Sequence, residues 1–332
     1  MFQPLKIIFL LLGLALFVWA VQMVDLGQTL ALLKRLGIGF LYIMLIYCAV
    51  TVLDTLSWKY NFYPAESARF SLWQCWRIRQ IGEAYNVITP LGTLGGEPVK
   101  AQLLKDKHGI SLRQGLASQV IARTTFLTAL VLFFVPGLYM IFASEQVSPL
   151  FKQTSLAGMV GFTIAIFLFF LFQITGSLGK ITRWASVLPF SGRLRPLLGK
   201  LDGLSIQMGG FYRENRKRVF ISILFALVGW IVGLAELYVT LYFLGIETSL
   251  SDLWIIESLA QLIRVGSFFI PLSLGAQEGG LILIFSALGM TADIGLTVSF
   301  VRRIKELLWV GLGLFLAWQI EFKPSEKISE EI

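Results

Sequence analysis

The chain has 332 residues, of which 56% are hydrophobic and 14% charged, with a formal net charge of +8 and a single histidine. Soluble domains carry roughly 25% charged residues, so this composition, with a mean hydropathy of +0.75, belongs to a polytopic membrane protein. One histidine excludes zinc sites built on histidine pairs and multi-histidine lipid phosphatases, and the spacing of Cys48 and Cys75 suits neither a metal site nor a disulfide.

Residues 5–24 form an apolar run long enough to cross a bilayer at about 20 residues per helix, and no signal-peptide cleavage site follows it. Residues 25–37 are amphipathic and are expected to lie in the membrane interface. A second span covers 38–58 and carries Asp54, and a polar loop with Tyr63-Pro64 fills 59–71.

Residues 72–108 have a different character. Their first helix holds Arg77, Arg79, Glu83 and Asn86 and is too polar to stand alone in lipid. Pro90 ends it, Gly92, Gly95 and Gly96 permit a reversal, and a short helix follows from about Pro98 to Lys107. Two half-length helices broken at a Gly/Pro tip predict a re-entrant hairpin.

Ser111 is placed to N-cap the next span, which runs to about Ala143 and includes Arg123. Another span covers 154–174, and its Phe-rich stretch 162–172 is expected to face lipid. The segment 177–218 holds nine basic and two acidic residues, nearly the whole net charge. It reads as a cytoplasmic loop with surface-lying amphipathic helices, able also to attract anionic headgroups. Span 219–244 carries Glu236. The hairpin pattern returns at 252–290 around Pro271, with Arg264 in its first limb. The last span, 292–320, carries Arg302, Arg303, Lys305 and Glu306 and precedes a tail at 321–332. Trp58, Trp73, Trp254 and Trp318 stand near span ends and are expected interface anchors.

Two stretches match each other. Pro90-Leu91-Gly92-Thr93-Leu94-Gly95-Gly96-Glu97 corresponds to Pro271-Leu272-Ser273-Leu274-Gly275-Ala276-Gln277-Glu278 at an offset of 181 residues. From Gly109 the offset is 180, pairing Gly109 with Gly289, Ser111 with Thr291, Gly115 with Gly295 and Arg123 with Arg303. The ordered set predicts an internal duplication: repeat 1 over 1–143 with its hairpin at 72–108, and repeat 2 over 154–320 with its hairpin at 252–290.

With the N-terminus in the cytoplasm, 59–79 and 98–113 are each cytoplasmic at net +3, and 177–218 is cytoplasmic at +7. The loop 144–153 is then outside at zero and 245–252 outside at −2, with Lys34-Arg35 a mild exception. Both termini fall in the cytoplasm. An odd number of crossings in the first repeat inverts the second, so the expected fold is an all-α polytopic membrane protein of two inverted repeats whose hairpin tips meet near the midplane.

Ionisable groups inside apolar spans face partners or a water-filled cavity. Here they fall into repeat-related pairs: Asp54 with Glu236, Glu83 with Arg264, Glu97 with Glu278, and Arg123 with Arg303. One reading is mutual neutralisation, Glu97 with Arg123 and Glu278 with Arg303. The other is a translocation site in which the two arginines grip a phosphate bidentately. Hairpin-tip N–H groups beside Gly95, Gly96 and Gly275 then add donors, and the glutamates titrate to couple or release.

The stretch from Asn86 through Lys100, followed by Arg123, resembles the first signature of the lysylphosphatidylglycerol synthase/flippase membrane-domain family, and Pro271 through Glu278 is similar to its second. The likeness in span order covers essentially the whole chain. The family includes the flippase half of the bacterial multiple-peptide-resistance factor, which moves aminoacylated phosphatidylglycerol between leaflets. It also includes stand-alone members linked to glycolipid, polyprenyl-phosphate or hopanoid pathways, and the Gly-Gly-Glu-Pro version looks closest to the hopanoid-associated ones. The chain lacks an aminoacyl-transferase domain, so synthesis of the lipid is not implied.

The resulting expectation is a lipid flippase of a bacterial inner membrane, acting on lipids with an anionic headgroup, without cofactor, metal or nucleic acid. Two alternatives stand beside it. One is a non-transporting scaffold that holds a lipid-synthesis enzyme through the basic loop. The other is an intramembrane enzyme with Glu97 or Glu278 as base, disfavoured by the absence of a nucleophile–base set.

Overall fold

The computed structural model describes residues 26–88, 95–175, 195–267 and 273–320, the backbone alone over 195–202, and Val18, Gln22 and Ile270 as isolated positions. The expected first span at 5–24, the tip residues 89–94 and 271–272, part of the basic segment and the tail 321–332 lie outside the described residues. Every regular element among those described is a helix. In chain order they are α1 (Leu26–Leu36), α2 (Gly39–Lys59), the single turn α3 (Pro64–Ser67), α4 (Leu72–Ile88), α5 (Gly96–His108), α6 (Leu112–Ala143), α7 (Pro149–Ile174), α8 (Arg195–Glu214), α9 (Arg216–Leu244), α10 (Leu250–Gly266), α11 (Ala276–Ala287) and α12 (Ala292–Gln319).

Four of them, α2, α6, α7 and α9, are long and apolar enough to cross a membrane. At 28 residues α12 spans about 42 Å, which exceeds a bilayer core, but the four charges at its middle set it apart from those four. The protein is an all-α membrane protein. Exposed Ile164, Phe167, Leu168, Phe169, Leu171 and Phe172 leave the Phe-rich face of α7 open, as expected of a lipid-facing helix.

Local chemistry sets the helix ends. Ser111 caps α6 by accepting from Gln114 N at 3.3 Å, and Gln114 Oε1 accepts from Ser111 N in return. Ser148 caps α7 ahead of Pro149, and Ser249 and Asp252 form a capping box on α10. Gly109 and Gly289 turn the chain after α5 and α11 at φ of 65° and 74°, where a side chain is strained. Two residues on, Ser111 and Thr291 are extended N-caps at ψ of 149° and 147°. The half-helix, glycine turn and long helix are therefore built alike at both places.

The packing follows the same two-part plan. Helices α2 and α9 run antiparallel along each other: Gly39 meets Phe243, Gly229 meets Asp54, and Ser57 bonds Ser222 at 3.0 Å. The first limb of one hairpin, α4, packs on α12, with Gly313 against Gln80 and Ala84. The first limb of the other, α10, packs on α6, with Gly137 against Ser258 and Trp254. One apolar core therefore joins Trp58, Cys75, Ile81 and Leu104 to Leu316 of α12. A second joins Phe133 and Ile141 of α6 to Leu241, Ile256 and Phe285.

Helix α1 is amphipathic as expected and also packs on α9 and α12, with Thr29 and Leu36 buried. Several expectations are corrected. The stretch 59–71 is no free loop: Asn61, Phe62 and Phe70 are buried, and Asn61 Nδ2 bonds Ser57 O, Thr125 and Ser222. Trp58 is a core residue whose Nε1 donates to Ser118 Oγ, and Trp254 is stacked on Phe133 and donates to its carbonyl; neither is an interface anchor. Trp73 and Trp318 are exposed, as an anchor requires. Within the basic segment, α8 docks on α6 and α7 through Met208, Phe211 and Tyr212, and Tyr212 Oη donates to Gln173 at 2.7 Å.

Candidate functional site: a charged band across two hairpins

The first hairpin is closed by glycines and a lysine. A Cβ at Gly96 would overlap the Gly82 carbonyl, so α4 and α5 touch backbone to backbone. Gly96 N, just after the N-cap residue Gly95, donates to Asn86 Oδ1 at 2.7 Å. The bare surface of Gly82 also leaves room for the stem of Lys100. That side chain is only 5% exposed and reaches Glu83 Oε1 at 2.8 Å and Glu97 Oε1 at 3.3 Å. The other oxygen of Glu97 is buried with no hydrogen-bond partner.

The second hairpin is held differently. Glu278 is fully buried; its Oε1 accepts from Arg303 Nε at 2.8 Å and its Oε2 from Gly275 N at 2.6 Å. Ser273 and Gly275 both adopt positive φ at this tip, and Arg303 Nη2 also donates to Ser273 O. The ion pairs continue outward: Arg303 to Glu306 at 3.2 Å, and Glu306 to Arg264 at 3.0 Å. Beside them Arg302 pairs with Glu257 at 2.6 Å, and Lys305 pairs with Glu236.

Tyr47 of α2 joins the two sets. Lys305 Nζ lies over its ring at 4.0 Å, Trp309 packs edge-on against it, and Arg79, Arg264, Asp54 and Glu236 act on it electrostatically. Arg79 itself pairs with Asp54 at 2.7 Å. Ion pairs this deep are costly to assemble and keep their members where neutral residues would serve stability as well.

Two members of the band stand apart. The side chain of Glu83 is 43% exposed and that of Arg264 is 52% exposed, whereas the other paired groups in the band are at most 24% exposed. Both are nonetheless surrounded by protein, and Glu83 acts electrostatically on Arg264. Glu83 lies eleven residues into α4 and Arg264 fourteen into α10, about 16 and 21 Å along half-helices at 1.5 Å per residue. Each therefore combines a position well along its helix with open surface.

The sequence-based pairs therefore divide. Glu278 and Arg303 meet. Glu97 and Arg123 do not: Glu97 takes Lys100, while Arg123 is exposed on α6 and makes no ion pair or hydrogen bond among the described residues. Arg123 and Arg303 show no shared anion grip. Asp54 and Glu236 each hold a cation, Arg79 and Lys305 respectively. Arg79, Lys100, Glu257, Arg302, Lys305, Glu306 and Tyr47 were missed as site residues. Glu257 of α10 and Arg302, Lys305 and Glu306 of α12 carried a readable signal, a charge within a helix of apolar character.

No solved structure matches the chain. Residues 6–313 match the family model described as the lysylphosphatidylglycerol synthase transmembrane region. The chain belongs to that family. Among curated proteins it is similar to a UPF0104 membrane protein of the archaeon Methanothermobacter thermautotrophicus, 26% identical over 239 residues. That alignment covers 66% of this chain and 65% of the relative, so the chain spans just under two thirds of the relative's length. Membership accords with the resemblance carried by the two hairpin motifs and with the helical membrane fold.

Proposed function

We propose that this family member moves an amphiphilic, phosphate-bearing lipid between the leaflets of a bacterial inner membrane, with both termini cytoplasmic. The headgroup passes through a polar opening between two inverted repeats while the acyl chains stay in the bilayer. What carries the proposal is the pair of half-open charges, Glu83 and Arg264, on the first limbs of the two hairpins. A phosphate has a natural partner in a guanidinium that uses one N–H on Glu306 and keeps others for a ligand.

The inverted arrangement is supported by three relations. Helices α2 and α9, the second spans of the two expected repeats, pack antiparallel. Each hairpin's first limb packs on the long final helix of the other half. The glycine turns and caps at Gly109–Ser111 and Gly289–Thr291 coincide in conformation. Pairs of broken helices around a central site are the architecture of alternating access, in which rocking of one half against the other re-pairs the ion network. We infer transport without an enzymatic step and without a cofactor, and we leave the hopanoid link at the level of the motif.

One observation favours the scaffold alternative: most of the band is neutralised within the protein, as a purely structural network is. Reconstitution separates the two. Purified protein in vesicles carrying acyl-labelled phospholipids should accelerate loss of the inner-leaflet label to an external reductant, and Arg264→Gln should slow that loss. A well-folded protein that moves no phospholipid class would move the conclusion to the scaffold.

A further inference from the structure

Repeat-related positions 83 and 264 carry opposite charges, a carboxylate in one half and a guanidinium in the other. They are also the most open acid and the most open base of the band, at 43% and 52%. The remaining cations, Arg79, Lys100, Arg302, Arg303 and Lys305, are 16% exposed or less, and each is on a carboxylate, as Arg264 is on Glu306. A headgroup entering the opening therefore meets one half-open charge of each sign. A purely anionic headgroup placed on Arg264 would stand in the field of Glu83, and like charges brought together in a partly dehydrated site oppose binding.

We infer that the headgroup recognised here is a zwitterion of short reach, its phosphate on Arg264 and its ammonium on Glu83. The inference rests on the transport reading above and narrows its substrate from anionic lipids in general to those with a phosphate and an amine together. One feature of the band fits. Glu83 Oε1 and Oε2 accept from Lys100 and Asn86, which fix the carboxylate's orientation while leaving its outer surface open.

The test compares acyl-labelled phosphatidylethanolamine with acyl-labelled phosphatidylglycerol in the same vesicle assay, so that both headgroups stay native. Wild type should exchange the ethanolamine lipid faster, by on the order of tenfold for one poorly hydrated charge contact. Glu83→Gln should abolish that preference by raising the glycerol lipid's rate. The exchanged pair Glu83→Arg/Arg264→Glu should restore it, which a merely structural role for either residue does not predict.

Equal or faster exchange of the glycerol lipid by wild type overturns the inference while leaving transport standing, as does a preference that Glu83→Gln leaves intact. If no lipid moves, the transport reading fails and binding decides the headgroup question. Native mass spectrometry of detergent-purified protein offered both lipids should then show ethanolamine lipid retained over glycerol lipid, and Glu83→Gln should even the ratio. An even ratio in wild type sinks the inference.

Discussion

Arg303 and Glu278 form a single connection between a long helix and a hairpin tip. The carboxylate takes Arg303 Nε on one oxygen and Gly275 N on the other, tying α12 to the turn that opens α11. Removing one member of a buried pair leaves the other without compensation, at a cost of about 3–5 kcal/mol. Glu278→Ala should therefore lower the unfolding temperature in detergent strongly. Glu278→Gln, which keeps an acceptor for Gly275, should lower it less. The double variant Glu278→Leu/Arg303→Met should recover most of the loss; a double variant as unstable as Glu278→Ala would mean that the pair's geometry, not its charge balance, is what matters.

Gly115 and Gly295 hold matching places, each pressing α6 or α12 onto the half-helix before it, yet the two contacts differ in tightness. A Cβ at Gly115 would stand 3.1 Å from Ala101, whereas one at Gly295 would stand 2.8 Å from Leu281 O and 2.9 Å from Ile282 N. Backbone cannot swing aside, and overpacking costs about 1–3 kcal/mol, against a helix-propensity gain near 1 kcal/mol for Gly→Ala. Gly115 also faces backbone, the Ala101 Cα, but a few tenths of an ångström further away, so Gly295→Ala should destabilise more than Gly115→Ala, read as detergent melting temperatures side by side.

His108 ends α5, outside the apolar spans, against the Phe70 ring at 5.6 Å. Partial burial holds its imidazole below the ordinary histidine value, the Arg69 region opposing only in part. The folded protein then binds fewer protons than the unfolded chain, so this contribution is intact above the unfolded value of about 6.5 and is lost as pH falls through and below it. Melting curves between pH 8 and pH 5 should fall more steeply for wild type than for His108→Gln. Parallel curves would show that the ring is solvated in both states.

Much of the fold was legible because membrane helices announce themselves. The bounds of α2, α6 and α9 follow from apolar length, α7 starts five residues before the expected 154 because Ser148 and Pro149 open it, and both hairpins follow from paired short helices around Gly and Pro. The Ser111 cap was readable from Ser-x-x-Gln. Partner choice was not. Glu97 was set against Arg123 because the repeat pairs both with Glu278 and Arg303, but Glu97 begins its helix at the second residue and Glu278 at the third. Glu97 shares a helix face with Lys100, three positions on, whose stem fits because residue 82 has no side chain. Spacing along a chain does not encode which neighbour is glycine across a gap. Trp58 was misplaced for a related reason: its position near a span end suggests an anchor, while burial depends on α6 supplying Ser118.

Arg123 gives the last test, because sequence and structure assign it different weights. The expected duplication matches it to Arg303, which is mostly buried and held by Glu278 and Glu306, yet Arg123 is exposed on α6. A surface charge without a fixed partner contributes within about ±0.5 kcal/mol. Arg123→Gln should therefore melt like wild type and exchange lipid at a similar rate, while Arg303→Gln, at the matching position, loses much of its stability. Equal damage from the two substitutions in paired melting and vesicle measurements would restore the symmetrical anion grip that the sequence alone proposes, and would require α6 to turn Arg123 inward during transport.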